Sequence, residues 1–271
     1  ALETNRVLHT LKLNSNPICK EKQNYIQDTK ASLDFAKSLL AAMKQNKSLT
    51  SLNIEKIGLK DVIPPLPSKT KCRIYKNAEL ITCEVVKASQ ANHGYIVQLI
   101  DPNNLQPPLY TVASSDVMPP EGENWPKSSG RMLADILTAN TKLKHLSVDI
   151  EFSKLSSQAI AKALSVNKGL ETLDCPQLDV LPIMKLRKNQ IRGMLSLENK
   201  RLSFVHLWVL AELLRDTKKR KYKNEKDSGE ERTSKKWKLS KVTELCLSNC
   251  NVTEELAEII AFEIITDNSP L

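Results

Sequence analysis

One spacing constrains this chain more than any other feature. Asn140, Leu143 and Leu146 stand in the pattern N-x-x-L-x-x-L, and Asn167, Leu170 and Leu173 repeat it 27 residues later. Between the copies, Ser157–Val166 places Ala159, Ile160, Ala163 and Leu164 at helical spacing. One short strand plus one amphipathic helix is too small to bury its own apolar face. Units of this kind stacked side by side can bury it, because their leucines then share one continuous core. The period therefore predicts parallel strands on one side of a curved array and helices on the other.

Further copies extend the pattern. Leu8, Leu11, Leu13, Asn16 and Ile18 fit L-x-x-L-x-L-x-x-N-x-L, where the asparagine sits at the turn off the strand and can satisfy backbone groups there. Lys20–Ala31 reads as a polar loop, and Ser32 as the cap of a helix running to Met43. Asn46, Leu49, Leu52, Ile54, Ile57 and Leu59 form the next copy. After the copies at Leu146 and Leu173, the interval to Leu195 shrinks to 22 residues and holds Pro176 and Pro182, which predicts a tight turn or 3₁₀ connection. Leu195, Leu197 and Leu202 then continue the pattern with Lys200 in the asparagine position, and Ser203 caps a helix carrying Val205, Trp208, Val209 and Leu213. Val242, Leu245, Leu247, Cys250 and Val252 form a last copy, followed by a helix capped by Thr253. One parallel concave sheet is expected, with strands near Leu11–Leu13, Leu52–Ile54, Leu146–Val148, Leu195–Leu197 and Leu245–Leu247. The opening ALETNRVL looks like the end of a helix and the closing DNSPL like the start of another repeat, so the expectation is a piece of a longer array.

Leu146 follows Leu52 by 94 residues, far more than one period, and the intervening stretch changes character. Pro-rich IPPLPSKTK leads into β-rich runs at Cys72–Tyr75, Leu80–Lys87, Tyr95–Ile100 and Leu109–Val112, then the turn-like SSDVMPP. The division expected is array over 1–62, an inserted small β module over 63–130, and array again over 131–271 with a basic loop at 218–238. The strand runs and the closing Ser-Ser-Asp-Val turn resemble a small five-stranded barrel of the Tudor kind. Some barrels of that kind hold a methylated cation in an aromatic cage, to which Tyr75, Tyr95 and Tyr110 could contribute here; the other reading is packing tyrosines in a spacer or protein-docking insert.

Composition narrows the function classes. The chain carries a formal charge of +9, and residues 218–238 alone hold ten Lys or Arg against four Asp or Glu, a net +6. Lys218, Lys219, Arg220 and Lys221, followed by Lys235, Lys236, Trp237 and Lys238, read as an import signal, as a contact for an acidic surface such as tubulin or nucleic acid, or as a solvated loop. No apolar run reaches the roughly 18–20 residues of a membrane span. The six cysteines are scattered with no C-x-x-C, which points to a reducing compartment: intracellular, cytoplasmic or cytoskeletal, with the nucleus also open. Seven glycines, no Walker loop, no G-x-S-x-G and four dispersed histidines argue against an enzyme, a cofactor or a small-molecule substrate.

The 27-residue helical repeats resemble the ribonuclease-inhibitor-like leucine-rich repeat proteins, so the fold class expected is α/β, a leucine-rich repeat solenoid. The resemblance implies a non-enzymatic protein–protein interaction scaffold, a subunit of a larger assembly such as a cytoskeletal or ciliary one, binding another protein on its concave strands. His9, Lys12, Asn53, His145 and Ser147 are the concave-face candidates. A nuclear adaptor using the basic loop for import and the β module as a reader is the alternative, and a GTPase-activator-like regulator is the third reading.

Overall fold

The structure is a computed structural model of the chain, and it describes residues 2–19, 25–62, 64, 66–76, 79–89, 94–100, 108–113, 117–118, 127–188, 190–223 and 241–265. Four short strands, β1 (Thr10–Lys12), β2 (Ser51–Ile54), β3 (His145–Val148) and β4 (Thr172–Asp174), lie side by side in that order, all parallel. Their register sets Leu11, Leu52, Leu146 and Leu173 next to one another across the sheet. Each pair of strands is led in by the same hydrogen bonds. The carbonyl of His9 accepts from the N–H groups of Thr50 and Ser51, that of Thr50 from Lys144 and His145, and that of Lys144 from Glu171 and Thr172.

The helices cover one side of this sheet. They are α1 (Tyr25–Gln45), α2 (Ser129–Ala139), α3 (Lys154–Val166), the single-turn α4 (Ile183–Arg187), α5 (Phe204–Lys223) and α6 (Glu254–Ile259), and neighbours α1–α2, α2–α3 and α3–α5 pack together. One apolar core runs beneath them, with Leu52, Ile54, Leu146, Val148, Ile160 and Leu164 fully enclosed. Helix α1 begins at Tyr25, so the expected loop over Lys20–Ala31 is helical from its sixth residue and Ser32 lies inside the helix. There Ser32 is buried and its hydroxyl accepts from the N–H of Lys60.

Where chain turns from helix to strand, an asparagine supplies the missing partners. Asn140 Nδ2 donates to the carbonyls of Met43 (3.0 Å) and Asn46 (3.2 Å), while its Oδ1 accepts from the N–H groups of Lys142 and Leu143. Asn46 does the same with Leu2, Asn5, Ser48 and Leu49, and Asn167 with Leu137, Asn140 and Leu170. Asn5 completes the series, its Oδ1 accepting from Val7 and Leu8. Each asparagine thus closes its own turn and ties it to the turn of the neighbouring unit. Such turns would otherwise leave buried backbone groups unpaired.

The sheet then breaks. The strands around Leu195 and Leu245, expected in the same sheet, form a separate parallel pair, Arg192–Ser196 with Lys241–Cys246. A 3₁₀ turn at Pro176–Leu178 and the short α4 take up the shortened interval. Arg192 occupies the slot that Leu143 and Leu170 fill in their units, Gly193 adopts φ +74°, and the register shifts between Gly193 and Met194. A leucine to dock the strand is missing, and positive φ turns the chain away from extended geometry. Arg187 Nη1 donates to the Leu170 carbonyl (3.0 Å) at this point, and burial holds its guanidinium pKa below the usual range.

Between β2 and β3 lies a five-stranded antiparallel sheet with its own core. Its strands are Lys71–Lys76, Glu79–Ser89, Gly94–Leu99, Leu109–Ala113 and Val117–Met118, the last pairing with the first. Leu66, Cys72, Ile74, Cys83, Val85, Tyr95, Val97 and Val117 fill it. Leu109–Ala113 and Val117–Met118 are the two outer strands, four interstrand steps apart, about 19 Å if the sheet were flat. Ala113 and Val117 are joined by chain that reaches about 14 Å at most. The sheet must therefore curl toward itself, and the register shift between Val85 and Lys87 adds local twist.

The insert joins the parallel layer through a polar knot. The Val62 N–H donates to Ser129 Oγ (3.0 Å) and the Ser129 N–H to the Val62 carbonyl (3.1 Å), so the outgoing and returning chains are bonded to each other. Asp61 accepts from the N–H of Gly130 (2.8 Å) at the start of α2, and from the N–H (2.8 Å) and hydroxyl (2.7 Å) of Ser153, the N-cap of α3. One carboxylate thereby serves two helix N-termini, where negative charge is favoured. Any Cβ on residue 130 would come within 2.6 Å of Asp61 Oδ1, which explains the glycine.

Candidate functional site

The sheet face away from the helices is polar. Register aligns Thr10, Ser51, His145 and Thr172 in one row and Lys12, Asn53, Ser147 and Asp174 in the next. Strand alternation sends Leu52, Ile54, Leu146 and Val148 into the core, so these intervening residues face outward. Four of the five concave-face candidates, Lys12, Asn53, His145 and Ser147, thus stand in two adjacent rows. The fifth, His9, precedes β1. Its Nδ1 lies 2.9 Å from the Ser48 carbonyl, so it serves the turn between the first two units as well as the surface.

The rows are partly wired together. His145 Nδ1 lies 2.8 Å from Thr172 Oγ1, and Lys144 Nζ lies 2.9 Å from Glu171 Oε1. The hydrogen bond from Lys144, helped by its charge, holds the Glu171 carboxyl below the usual carboxylate range. Asn53 bonds Glu55, its Oδ1 accepting from the Glu55 N–H at 3.1 Å. The arrangement offers donors, acceptors and both signs of charge at fixed spacing. Beneath the sheet, a void lined by Leu146, Phe152, Leu164 and Cys175 has room for about one water molecule, too little for a ligand.

Of the three insert tyrosines, Tyr95 and Tyr110 have described side chains, and both pack on the insert core. Tyr95 is 4% exposed and packs in the core of the curled sheet, with its hydroxyl accepting from the Leu66 N–H (3.2 Å). Val85 and Val97 crowd the same interior, so a ligand cation has no path to its ring face. Tyr110 is half-buried against the same core, while Tyr75 pairs through its backbone with Leu80 and its side chain lies outside the described residues.

The basic segment is split. Lys218, Lys219, Arg220 and Lys221, expected in a loop, continue α5, which runs to Lys223. The buried face of that helix is described as far as Leu214, and cations suit the C-terminal turns of a helix. Lys235, Lys236, Trp237 and Lys238 lie outside the described residues.

Cysteine and histidine sites are structural where they are described. All six cysteines are free, and no group of three His, Cys, Asp or Glu among the described residues is placed to hold a metal. Burial pushes the Cys72 thiol up to about 12, with the cross-strand Cys83 adding to it, and the Cys175 thiol up to about 11. Cys246 differs: it is half-exposed, and the Ser248 hydroxyl 3.4 Å away lowers its pKa. His206 is buried, and its Nδ1 accepts from the N–H (2.9 Å) of Ser203 and bonds the Ser203 hydroxyl (2.8 Å). Nε2 then carries the proton and finds no partner, with the Gln177 carbonyl close by but outside bonding geometry. No described helix is long and apolar enough to cross a membrane.

Sequence reading missed two residues of consequence. Asn5 is one: Asn5, Leu8 and Leu11 also fit N-x-x-L-x-x-L, so its signal was present. Asp61 is the other, and its partners lie 69 and 92 residues away, beyond any local pattern. Compared with family models, curated proteins and solved structures, the chain matches none.

Proposed function

We propose that this chain is a leucine-rich repeat solenoid carrying an inserted small barrel-like β module, and that it works as a non-enzymatic scaffold. It docks another protein on the open face of strands β1–β4, as a subunit of a larger intracellular assembly of the cytoskeletal or ciliary kind. One observation carries the reading: two register-aligned polar rows stand on a sheet face that no described helix covers, with Lys12 at one side and Asp174 at the other. Side chains held on neighbouring strands lose little freedom on binding, which favours recognition by a rigid surface.

Asn53→Arg combined with Ser147→Arg tests it. Both changes fall on the outward face, so the thermal melt should stay that of the wild type. Affinity capture from native extract, compared by mass spectrometry, should lose the proteins that the wild-type chain retains. Capture of the same set by both forms would refute docking on this face.

A further inference from the structure

The parallel layer lines up a file of cations along one of its edges. The ladder asparagines mark the edge where helices hand over to strands, and a cation follows each within two residues: Arg6, Lys47, Lys142 and Lys168. All four side chains are exposed. Because each asparagine bonds to the one before it, these cations belong to successive, adjacent units, spaced like neighbouring strands at about 4.8 Å. Lys188 occupies the same edge after α4. The strand-to-helix edge mixes the signs, with Glu55, Asp149, Asp174 and Glu198 beside Lys56, Lys200 and Arg201.

Helix C-termini favour cations, and that accounts for part of the row. Arg6 Nη1 donates to the Gln45 carbonyl (3.1 Å) and Lys47 Nζ to the Lys44 carbonyl (3.3 Å). Lys142 and Lys168 make no side-chain hydrogen bond or ion pair among the described residues. The edge's ion pair there is Lys144–Glu171, set back from the row.

We propose that this helix-to-strand edge is a docking track for the phosphate backbone of a single-stranded nucleic acid. The track starts at Arg6 and runs through Lys47, Lys142 and Lys168 to Lys188. A single file of cations at near-regular spacing matches a linear polyanion. Protein partners are anchored by apolar side chains set in a patch. The apolar residues exposed on this edge are Val7 and Leu8 in the first unit and Val166 three units on, so they form no continuous patch along the file. Lysines dominate the file, which suits attraction to phosphate as a point charge without base readout. This surface is separate from the open sheet face, so the two proposals stand or fall independently.

The test uses the purified full chain and a fluorescein-labelled 20-nucleotide single-stranded DNA of mixed sequence, read by anisotropy across a salt series. The variant Lys47→Gln/Lys142→Gln/Lys168→Gln removes three cations from the track. A matched control, Lys56→Gln/Lys200→Gln/Arg201→Gln, removes three exposed cations from the opposite edge and leaves the same net charge. Thermal melts verify that both remain folded. The track variant should bind about tenfold more weakly, and its log Kd against log salt should flatten by about 2. The control should bind within about twofold of wild type. Equal losses in both variants would mean net charge acts without a track, and unchanged binding by the track variant would remove these lysines from the contact. A poly-glutamate peptide of equal charge that competes as well as the unlabelled strand would overturn the nucleic-acid assignment in favour of an acidic protein segment.

Discussion

The parallel layer and the antiparallel insert both bury a tight apolar core, but they treat polar groups in opposite ways. Asn46, Asn140, Asn167, Ser48, Ser156, Ser157 and His206 are buried in the parallel layer, and Ser128 and Ser129 at its junction with the insert. Between Leu66 and Val117 no buried polar or charged residue is found among the described residues. Topology is the cause. Parallel neighbours need a crossover through a helix, and when units stack closely the returning turns are themselves stacked. Their backbone groups face one another instead of water, and side-chain amides must satisfy them. Antiparallel neighbours turn back at the surface, where water does that work. A parallel layer is thus specified by polar residues as much as by leucines, while the curled insert is specified by apolar alternation.

The sharpest way to break this comparison is Asn140→Ala. It strips four hydrogen bonds from a buried site and leaves backbone groups of two units unpaired, so a loss of about 3–5 kcal/mol is expected in urea unfolding. Amide exchange should rise throughout β2, β3 and α2, with the insert strands still protected. The converse variant, Val97→Ala, opens a cavity in the insert core and should lower stability by about 2 kcal/mol. Exchange should then quicken in Gly94–Leu99 and its neighbours and stay slow in the parallel layer. If each variant loosens both regions equally, the two fold as one cooperative body and the contrast is lost.

A smaller effect separates the regions by pH. Burial holds the pKa of His206 below its ordinary value of 6.5, against the pull of Asp179. The unfolded chain therefore takes up this proton first. The stability it contributes is complete above about pH 6.5 and declines as pH falls through the lower folded value. Melting temperatures of wild type and His206→Phe should run parallel above about pH 6.5 and diverge in slope below it, with the variant's profile the flatter over that window. The smallest perturbation is chemical. Under native conditions an aromatic disulfide reagent should modify Cys246 first, while Cys72 in the insert and Cys175 in the parallel layer stay protected until unfolding. Prompt labelling of Cys72 would mean that the insert opens on its own.

Much of the local order was readable because leucine spacing and helix spacing are short-range signals. Leu11, Leu52, Leu146 and Leu173 announce their strands, and Thr253 announces the helix after it, its hydroxyl accepting from the Leu256 N–H. The start of α1 was hidden because Tyr25–Ala31 holds only Gln27, Lys30 and Ala31 as strong helix formers and shows no apolar period of its own. The break after β4 was half visible: the two prolines forecast the 3₁₀ turn, but Arg192 and Gly193 looked like an ordinary lapse in the motif. The open-face residues were placed by alternation alone, apart from His9, which lies one residue before its strand. The burial of Tyr95 was not readable, because strand runs do not say which face turns inward once a sheet curls. Asp61 could not be found at all, since a capping carboxylate for helices so far along the chain leaves no trace in spacing.

The mutual bonds of Val62 and Ser129 act as a docking port. To the parallel layer, chain that leaves at one and returns at the other is a loop of nearly zero end-to-end distance, already closed by two hydrogen bonds and the shared carboxylate of Asp61. Closure entropy grows only with the logarithm of loop length, so the port is nearly indifferent to what it carries. The module is accordingly exchangeable cargo. Evolution could lengthen, replace or delete it at little cost to the layer beneath, and a protein engineer could fuse a fluorescent or binding domain at the same two residues.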